Sequence, residues 1–248
     1  MKTFFLTDTG KVRDHNEDSV TILKNSKNEY LLAVADGMGG HKCGEVASSM
    51  AIDHITKKFE ELESLGDKSK AVNWIREEIT AINKSIFDYT AIYEESKGMG
   101  TTFVCALLTK EYLLFANVGD SSGYVLKGEK LYRVTKPHTL VNLLVESGEL
   151  TEEEAEHHPR KNILMRALGA NNPAEVDIFD VDTDIDGILL CSDGLTTMLN
   201  NMQIEKVLTG EGTLEEKVAK LIRKSNIRGG TDNISIACLM TKDEEASK

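Results

Sequence analysis

Four aspartates each lie next to glycine or a small residue at one end of an apolar run. They are Asp36 in LLAVADGMGGH, Asp120 in LLFANVGDSS, Asp193 in ILLCSDGLT and Asp232 in GGTDNISIACL. A buried carboxylate without a partner is costly. One such aspartate would be interpreted as a turn or helix cap. Four in equivalent positions indicate a shared ligand, and ligation by oxygen alone favours Mg²⁺ or Mn²⁺ over zinc.

Another polar cluster, RDHNEDS, precedes a strand-like run near the N-terminus. Arg13 carries the planar fork that binds a phosphate dianion. Glu17 and Asp18 could join the metal ligands. Taken alone, the cluster is equally compatible with a charged turn before a strand.

The cysteines do not indicate a nucleophile or a zinc site. Cys43, Cys105, Cys191 and Cys238 are widely spaced and form no CxxC pair. The last three lie in apolar strand-like runs, which predicts reduced, buried thiols. No basic group flanks Cys191 to lower its pKa, so it is not expected to act as a nucleophile.

The composition argues against several classes of protein. The 248 residues are 40% hydrophobic and 28% charged, with a net charge of −12. Lysines dispersed among glutamates give no basic stripe for nucleic acid. No run approaches the ~20 apolar residues of a membrane helix, and the N-terminus lacks the long apolar region of a secretory signal. We therefore expect a cytoplasmic protein with no membrane insertion.

Strand-like runs, rich in β-branched or alternating apolar residues, recur along the chain. They cover residues 19–23, 30–35, 101–108, 112–118, 123–126, 187–191 and 233–240. Two stretches with apolar residues every three or four positions predict helices that face a sheet. The apolar positions are Ala47, Ala51, Ile55, Phe59 and Leu62 in the first stretch, and Ala71, Ile75, Ile79, Ile82, Ile86 and Tyr89 in the second.

The order of these elements favours an α+β fold. Strands come in hairpin-like pairs and the two long helices come together, which indicates antiparallel sheets rather than βαβ alternation. No linker-like segment interrupts residues 1–242, so we expect one domain followed by a polar tail at 243–248. Residues 139–170 are polar and helix-prone, and we interpret them as a surface flap or subdomain.

Six motifs together make the sequence recognisable. RDHNEDS, ADGMGGH, GMGTTFV, NVGDSS, LLCSDGLT and GGTDNIS resemble, in order and spacing, the signatures of the PP2C (PPM) family of metal-dependent protein serine/threonine phosphatases. The match covers nearly the whole chain and is similar to the bacterial branch, which has a bare catalytic domain. The resemblance implies a sandwich of two antiparallel sheets flanked by helices, with the catalytic site at one end.

The resemblance assigns metal contacts, direct or through water, to one set of residues: Glu17, Asp18, Asp36, Gly37, Asp120, Asp193 and Asp232. Within this set, Asp36 would bridge two Mn²⁺ or Mg²⁺ ions, and Gly37 would offer its carbonyl oxygen. Asp193 and Asp232 would complete the shell of the first ion. Asp120 matches a position that, with Asp193, holds a third ion in bacterial relatives.

The implied chemistry is hydrolysis by water. Two ions about 3.5–4 Å apart share a water, lower its pKa and clamp the phosphoryl group for in-line attack. Arg13 would hold the phosphate oxygens and offset charge in the transition state. Asn233 would support the ligands without touching an ion. The expected catalytic residues are thus Arg13, Asp36, Asp193 and Asp232.

Two histidines are candidates for contact with substrate. Several relatives have His directly after the Asp-Gly pair, where this chain has Met38, so His41 is the nearest candidate proton donor. His41 could equally face solvent or cap the following helix. His158, in HHPRKN, matches the mobile flap of bacterial relatives, but it is also compatible with an ordinary surface histidine.

Two further positions depart from the pattern that many relatives share. Ser122 stands where they have Arg, and Pro137 stands where they have Asp. Neither position is expected to bind metal, so the departures bear on local packing, flap attachment and substrate preference.

The leading hypothesis is hydrolysis of phosphoserine and phosphothreonine on proteins by a monomer that opposes a bacterial serine/threonine kinase. An alternative is a catalytically weak member of the same fold that binds phosphoproteins as a regulatory module, although the complete ligand set argues against it. A third hypothesis is a phosphatase dedicated to one regulatory partner. Such proteins usually carry an attached sensor domain, and the sequence shows none.

Overall fold

The computed structural model describes residues 1–39 and 43–241. Its strands are β1 Lys2–Asp8, β2 Asp18–Lys24, β3 Tyr30–Met38, β4 Gly100–Thr101, β5 Phe103–Leu108, β6 Leu113–Val118, β7 Ser122–Lys127, β8 Lys130–Arg133, β9 Asp177–Val181, β10 Gly187–Cys191 and β11 Ile234–Met240. Its α-helices are α1 Cys43–Glu60, α2 Lys68–Ile92, α3 Leu140–Glu146, α4 Glu152–His157, α5 Asp193–Thr196, α6 Asn201–Leu208 and α7 Leu214–Ile227. A 3₁₀ turn covers Glu94–Ser96.

The strands form two antiparallel sheets. Sheet A has the order β1-β11-β10-β7-β8, and sheet B has the order β2-β3-β5-β6-β9, with β4 paired to β3. The chain therefore contributes early and late segments to both sheets. The N-terminal β1 pairs along its whole length with the C-terminal β11, from Lys2 opposite Met240 to Asp8 opposite Ile234.

Three apolar clusters define four layers. The first lies between sheet B and helices α1 and α2, and it includes Phe59, Ile75 and Phe103. The second lies between the two sheets, around Phe115 and Leu190. The third lies between sheet A and helices α5, α6 and α7. Each sheet is thus apolar on both faces, so its central strands are continuous apolar runs rather than alternating ones.

The helices begin and pack as their sequences predict. Both apolar stripes face sheet B, and Leu62, the last residue of the first stripe, lies just after α1 ends. The side chain of Asp67 caps α2 by accepting a hydrogen bond from the backbone N–H of Lys70. Thr213 and Glu216 form a reciprocal capping box at the start of α7, an arrangement that satisfies two otherwise unpaired backbone donors.

The predicted α+β sandwich is confirmed, but the sequence analysis missed three strands. These are β1, β8 and β9, and all three lie at sheet edges. An edge strand buries less of its surface, so its apolar signal is weak. In β1, for example, half-buried and exposed residues alternate along its length. Helices α5, α6 and α7 were also not predicted.

The segment 139–170 contains the short helices α3 and α4. Its two ends are held together by a bridge between Thr139 and Leu164 and by a hydrogen bond from the backbone N–H of Met165 to the carbonyl of His138, 2.8 Å long. The assignment of this segment as a flap stays a prediction, and the tail at 243–248 lies outside the described residues. Within the described part of the chain, no helix combines the length and apolar character of a membrane span.

The core between the sheets should dominate stability. Phe115 is fully buried there, so Phe115→Ala is expected to lower the free energy of unfolding by about 3–5 kcal/mol through lost burial and a residual cavity. Urea unfolding in EDTA measures this without a contribution from bound metal. Phe5, 46% exposed, is the matched control, and Phe5→Ala should cost about 1 kcal/mol or less. Equal losses in the two variants would contradict this account of the core.

Candidate metal centre

Strands β2 and β3 bring the first two carboxylates together. Asp18 is the register partner of Asp36 across this antiparallel pair. One residue further on, the backbone N–H of Gly37 donates to the carbonyl of Glu17 at 3.1 Å. Glu17 and Asp18 are both 9% exposed. The start of β2 and the end of β3 therefore place several acidic groups at one end of sheet B.

Gly37 allows helix α1 to approach this strand end. A Cβ atom at position 37 would lie 2.1 Å from the carbonyl oxygen of Gly44 and 2.5 Å from that of Glu17. Both neighbours are backbone atoms that cannot move aside, so only glycine fits between them. The glycine after Asp36, predicted to face a ligand, is thus also required by backbone packing.

The backbone of Asp36 is fixed by two threonines. Its carbonyl accepts from the N–H of Thr102 and from the hydroxyl of Thr101, each at 2.9 Å, and its N–H donates to the hydroxyl of Thr102 at 3.0 Å. The hydroxyl of Thr102 also lies 2.7 Å from that of Ser121. The GMGTTFV motif therefore holds the central aspartate in place.

Sheet A contributes Asp193 and Asp232 from neighbouring elements. Asp193 is the first residue of α5, directly after β10, and Asp232 lies just before β11. A Cβ atom on Gly194 would lie 2.0 Å from the carbonyl oxygen of Asn233. This close backbone approach brings the two strand ends together, and it requires glycine at position 194.

Ser192 and Asn233 join the two sheets at the site. The Ser192 hydroxyl donates to Asp18 at 2.7 Å and accepts from the N–H of Ser235 at 2.9 Å. The Asn233 side-chain oxygen accepts from the N–H of Glu17 at 2.8 Å, while its amide donates to the carbonyls of Thr9 and His15. Asn233 therefore lies where the resemblance places a supporting residue. The role of Ser192 was not predicted.

Asp120 lies in the turn after β6, and a buried histidine clamps the residue before it. The Gly119 N–H donates to Nδ1 of His138 at 3.1 Å, and the His138 N–H donates to the Gly119 carbonyl at 2.9 Å. Nε2 of His138 lies 3.1 Å from Asp177, which also binds Arg166. Burial lowers the pKa of His138, consistent with a neutral ring whose Nδ1 accepts.

Burial and mutual repulsion perturb the pKa values of these carboxyls. Burial is the main cause in each case, and it raises the pKa of Asp193 to about 7 and that of Asp18 to about 6. The pKa of Asp36 is raised well above its usual range, first by burial and then by the charges of Asp18, Asp193, Asp120 and Asp232. The charges of these four aspartates act on Asp36, so the five carboxyls belong to one cluster.

A divalent cation fits this environment. Oδ1 of Asp18 is buried without a hydrogen-bond partner, and the converging groups offer oxygen ligands, which Mg²⁺ and Mn²⁺ prefer. Within residues 1–39 and 43–241, no three His, Cys, Asp or Glu side chains are already arranged around one point as metal ligands. The charges of Asp18 and Asp193 both act on Asp36, and a bound cation would offset them.

Arg13 lies at the edge of the carboxylates. Its Nη2 donates to Asp232 at 2.8 Å, and its side chain is 48% exposed. His15, to which the sequence analysis gave no role, lies beside it with Nε2 3.2 Å from Glu17. In the sequence, the location of His15 near the site is indicated only by its place in the RDHNEDS motif.

The two other predicted histidines are not brought into this cluster. His158 caps the end of α4, is half-buried, and accepts at Nδ1 from the N–H of Arg160. No contact links His158 to the carboxylates in the described portion of the structure. His41 lies outside the described residues.

Comparison with known proteins identifies the family. The protein phosphatase 2C family model matches residues 10–226. A serine/threonine phosphatase stp from Listeria welshimeri is 42% identical over 252 residues, covering 100% of both chains. The crystal structure of serine/threonine phosphatase Stp1 from Staphylococcus aureus has a TM-score of 0.92 and 38% identity, covering 98% of this chain and 95% of that one.

A further structure bears on the metal. The catalytic domain of the serine/threonine protein phosphatase PstP, in complex with two manganese ions, has a TM-score of 0.81 and 32% identity, covering 96% of both chains. The chain thus belongs to the protein phosphatase 2C family. It is a metal-dependent serine/threonine protein phosphatase of the bacterial type, and the predicted enzyme class, family and dependence on a divalent cation are confirmed.

The metal-free protein should lose stability as pH rises from about 4 to about 7. Asp18 and Asp193 ordinarily titrate at 3.8, but in the fold they titrate at about 6 and about 7. In this window the folded state holds protons that the unfolded state has released, so rising pH favours unfolding. Urea unfolding in EDTA across this range measures the effect.

The non-titrating variant Asp193→Asn should flatten this pH dependence, because it removes one of the raised carboxyls. Asp14→Asn, at an exposed position in the same N-terminal cluster, should leave the dependence unchanged. Stability that rose steadily between pH 5 and 7 in EDTA would contradict the assignment.

Proposed function

We propose that this phosphatase hydrolyses phosphoserine and phosphothreonine of proteins at the carboxylate cluster where the two sheets meet. One observation carries the proposal. Asp18 and Asp36 from sheet B converge with Asp193 and Asp232 from beside sheet A. The pKa values of the first three are raised by burial and, to a smaller extent, by the charges of neighbouring aspartates in the cluster. Arg13 stands at their exposed edge. Bound divalent cations would offset the negative charge of these acid groups, and they would in turn attract a phosphate.

The proposed metal ligands are the residues that the motif resemblance implies. Asp36 would bridge two Mn²⁺ or Mg²⁺ ions with Gly37, and Asp193, Asp232, Glu17 and Asp18 would complete their shells, directly or through water. Asp120 with Asp193 would hold a third. The two manganese ions of the PstP structure support the first two of these ions. When bound, such ions polarise the phosphoryl group and lower the pKa of a water for in-line attack.

Arg13 is the proposed phosphate-binding residue. Its guanidinium is held by one carboxylate, Asp232, and is about half exposed, so it can turn its remaining N–H donors towards a phosphate at the mouth of the site. Because the fork is planar and always charged, it can bind two phosphate oxygens at once. This geometry orients the phosphoryl group and offsets charge that develops on its oxygens.

Among the described residues, several hold the proposed metal ligands in place, and none is positioned as an evident proton donor to the leaving group. Thr101 and Thr102 fix the backbone of Asp36, and Asn233 fixes the loop that carries Glu17. His41 stays the candidate donor for the leaving hydroxyl, and His158 stays a candidate flap contact with substrate.

The biological setting follows from the substrate class. The substrates are phosphorylated proteins, and the opposing enzyme would be a bacterial serine/threonine kinase. We propose a monomer, made of one catalytic domain over residues 1–242 with a flap at 139–170. A cytoplasmic location is supported by the cysteines Cys105, Cys191 and Cys238, which are buried in strands and form no disulfide, as is usual for proteins of a reducing compartment.

Removal of divalent metal should abolish hydrolysis of a phosphothreonine peptide, and added Mn²⁺ should restore it. Asp193→Asn should lower kcat by a factor on the order of 10² or more at saturating Mn²⁺, because a ligand that charges and positions the ion is lost. Phosphate release measures both effects. Asp14→Asn, an exposed aspartate of the N-terminal cluster, is the matched control and should keep normal activity.

Full activity in Asp193→Asn would show that the site is wrongly placed. Tight binding of the phosphopeptide by the unsubstituted protein in saturating Mn²⁺, without turnover, would instead support the alternative of a phosphoprotein-binding regulatory module.

Loss of the guanidinium fork should weaken substrate binding more than metal binding. Arg13→Ala is expected to raise KM for a phosphopeptide by roughly tenfold, the loss of one charge-assisted contact, with a smaller fall in kcat. Arg13→Lys should recover part of the loss, because it restores the charge but not the fork. Steady-state kinetics at saturating Mn²⁺ separates the two parameters. An unchanged KM in Arg13→Ala would exclude the assigned role.

A further inference from the structure

One arginine outside the predicted site is fixed beside the Asp120 turn. Arg133 is the last residue of β8, at the edge of sheet A, and is the register partner of Tyr124 on β7. Its guanidinium carbon lies 5.9 Å from the centre of the Tyr124 ring. Its Nη2 donates to the hydroxyl of Ser122 at 2.7 Å. Stacking and hydrogen bonding together hold this long side chain in one direction.

Ser122 connects that guanidinium to the candidate metal centre. It is fully buried, lies two residues after Asp120, and is the register partner of Cys191 on β10. Its hydroxyl donates to the Asp120 carbonyl at 3.4 Å, a long contact. Because Arg133 donates to the hydroxyl oxygen, the single hydroxyl proton must point elsewhere, and the Asp120 carbonyl is an available acceptor.

The positive charge of Arg133 lies beside the turn that carries Asp120, because its guanidinium is hydrogen-bonded to Ser122, which contacts the Asp120 carbonyl. Arg13, by contrast, is bound to Asp232. Arg13 and Arg133 therefore lie beside different carboxylates of the same cluster.

We propose that Arg133 is a positioning residue for Asp120: through Ser122 and Tyr124 it fixes the turn that presents this carboxylate to a divalent cation. The inference rests on the proposed metal role of Asp120, and it assigns no contact between Arg133 and the substrate. Position 122 is an uncharged serine in this chain, so the positively charged side chain beside the turn is that of Arg133, on the adjacent edge strand.

The test compares Arg133→Gln and Arg133→Lys with Lys130→Gln. Lys130 is the matched control, because it lies on the same edge strand and pairs with Glu205, away from the site. Isothermal titration with Mn²⁺ measures the number and affinity of bound ions, independently of activity. Thermal unfolding in EDTA confirms that each variant folds.

Arg133→Gln should weaken the lowest-affinity Mn²⁺ site by about tenfold, in line with the loss of a hydrogen bond from a charged group. Arg133→Lys should fall between this variant and the unsubstituted protein. Lys130→Gln should match the unsubstituted protein. Asp120→Asn should remove the same site, and adding Arg133→Gln to it should cause no further loss, since coupled residues are non-additive.

Several results would overturn the inference. Unchanged or tighter Mn²⁺ binding in Arg133→Gln would do so, the latter showing that the guanidinium merely repels the ion. A loss that persists undiminished in the Asp120→Asn background would show that Arg133 acts elsewhere. Asp120→Asn with unaltered Mn²⁺ binding would remove the basis of the inference. In each case normal, Mn²⁺-dependent hydrolysis by the unsubstituted protein would leave the proposed function standing.

Discussion

The repulsion among buried carboxylates is the constraint on which this structure depends. At separations of a few ångströms, like charges away from water repel by several kcal/mol even with substantial screening, and each also loses solvation. Without a cation, Asp18, Asp36 and Asp193 relieve this repulsion by holding protons to higher pH, as their raised pKa values indicate, while backbone contacts keep them together. Thr101 and Thr102 make three hydrogen bonds to the backbone of Asp36. The hydroxyl of Ser192 donates a hydrogen bond to Asp18, which stabilises the charged form of that carboxyl. Rigidity of this kind costs stability in the absence of a cation, and it gives a cation a site whose ligands need little reorganisation.

Because the carboxylates come from two sheets, the site depends on the packing between them. Asp18 and Asp36 belong to sheet B, whereas Asp193 and Asp232 flank strands of sheet A. The cluster around Phe115 and Leu190 holds the two sheets face to face, and Asn233 joins them at the site by accepting from the N–H of Glu17. A cation bound by ligands from both sheets would further stabilise the contact between them. Metal binding and folding stability are therefore linked, since any ligand that binds only the folded state stabilises it.

The sequence alone was sufficient for the parts of the structure that repeat a strong pattern. Long apolar runs marked the central strands, and the stripes along α1 and α2 marked the helices that cover sheet B. The carboxylates were recognisable because each interrupts or borders such a run. Edge strands β1, β8 and β9 carry weaker patterns, and they were missed. The supporting contacts could not be predicted either: Ser192 and Asp18 are 174 positions apart, and no local signal reports that the fold will pair them. His138 was visible as a residue but not as the partner of Gly119, because that contact depends on the path of the chain after β8.

Several of the missed contacts adjust the site rather than supply its carboxylates. Asp120 stands in a turn that contacts His138, just before the segment 139–170, and Ser122, which accepts a hydrogen bond from Arg133 on the edge strand β8. Neither His138 nor Arg133 is expected to touch metal or phosphate. An edge strand and a surface segment can change in sequence at lower cost than a buried strand, because fewer buried contacts depend on them. If Asp120 holds an ion as proposed, the contacts that orient it can therefore change while the backbone contacts of Asp36 stay the same. In this chain the positive charge beside Asp120 comes from Arg133, because position 122 is an uncharged serine that accepts a hydrogen bond from it.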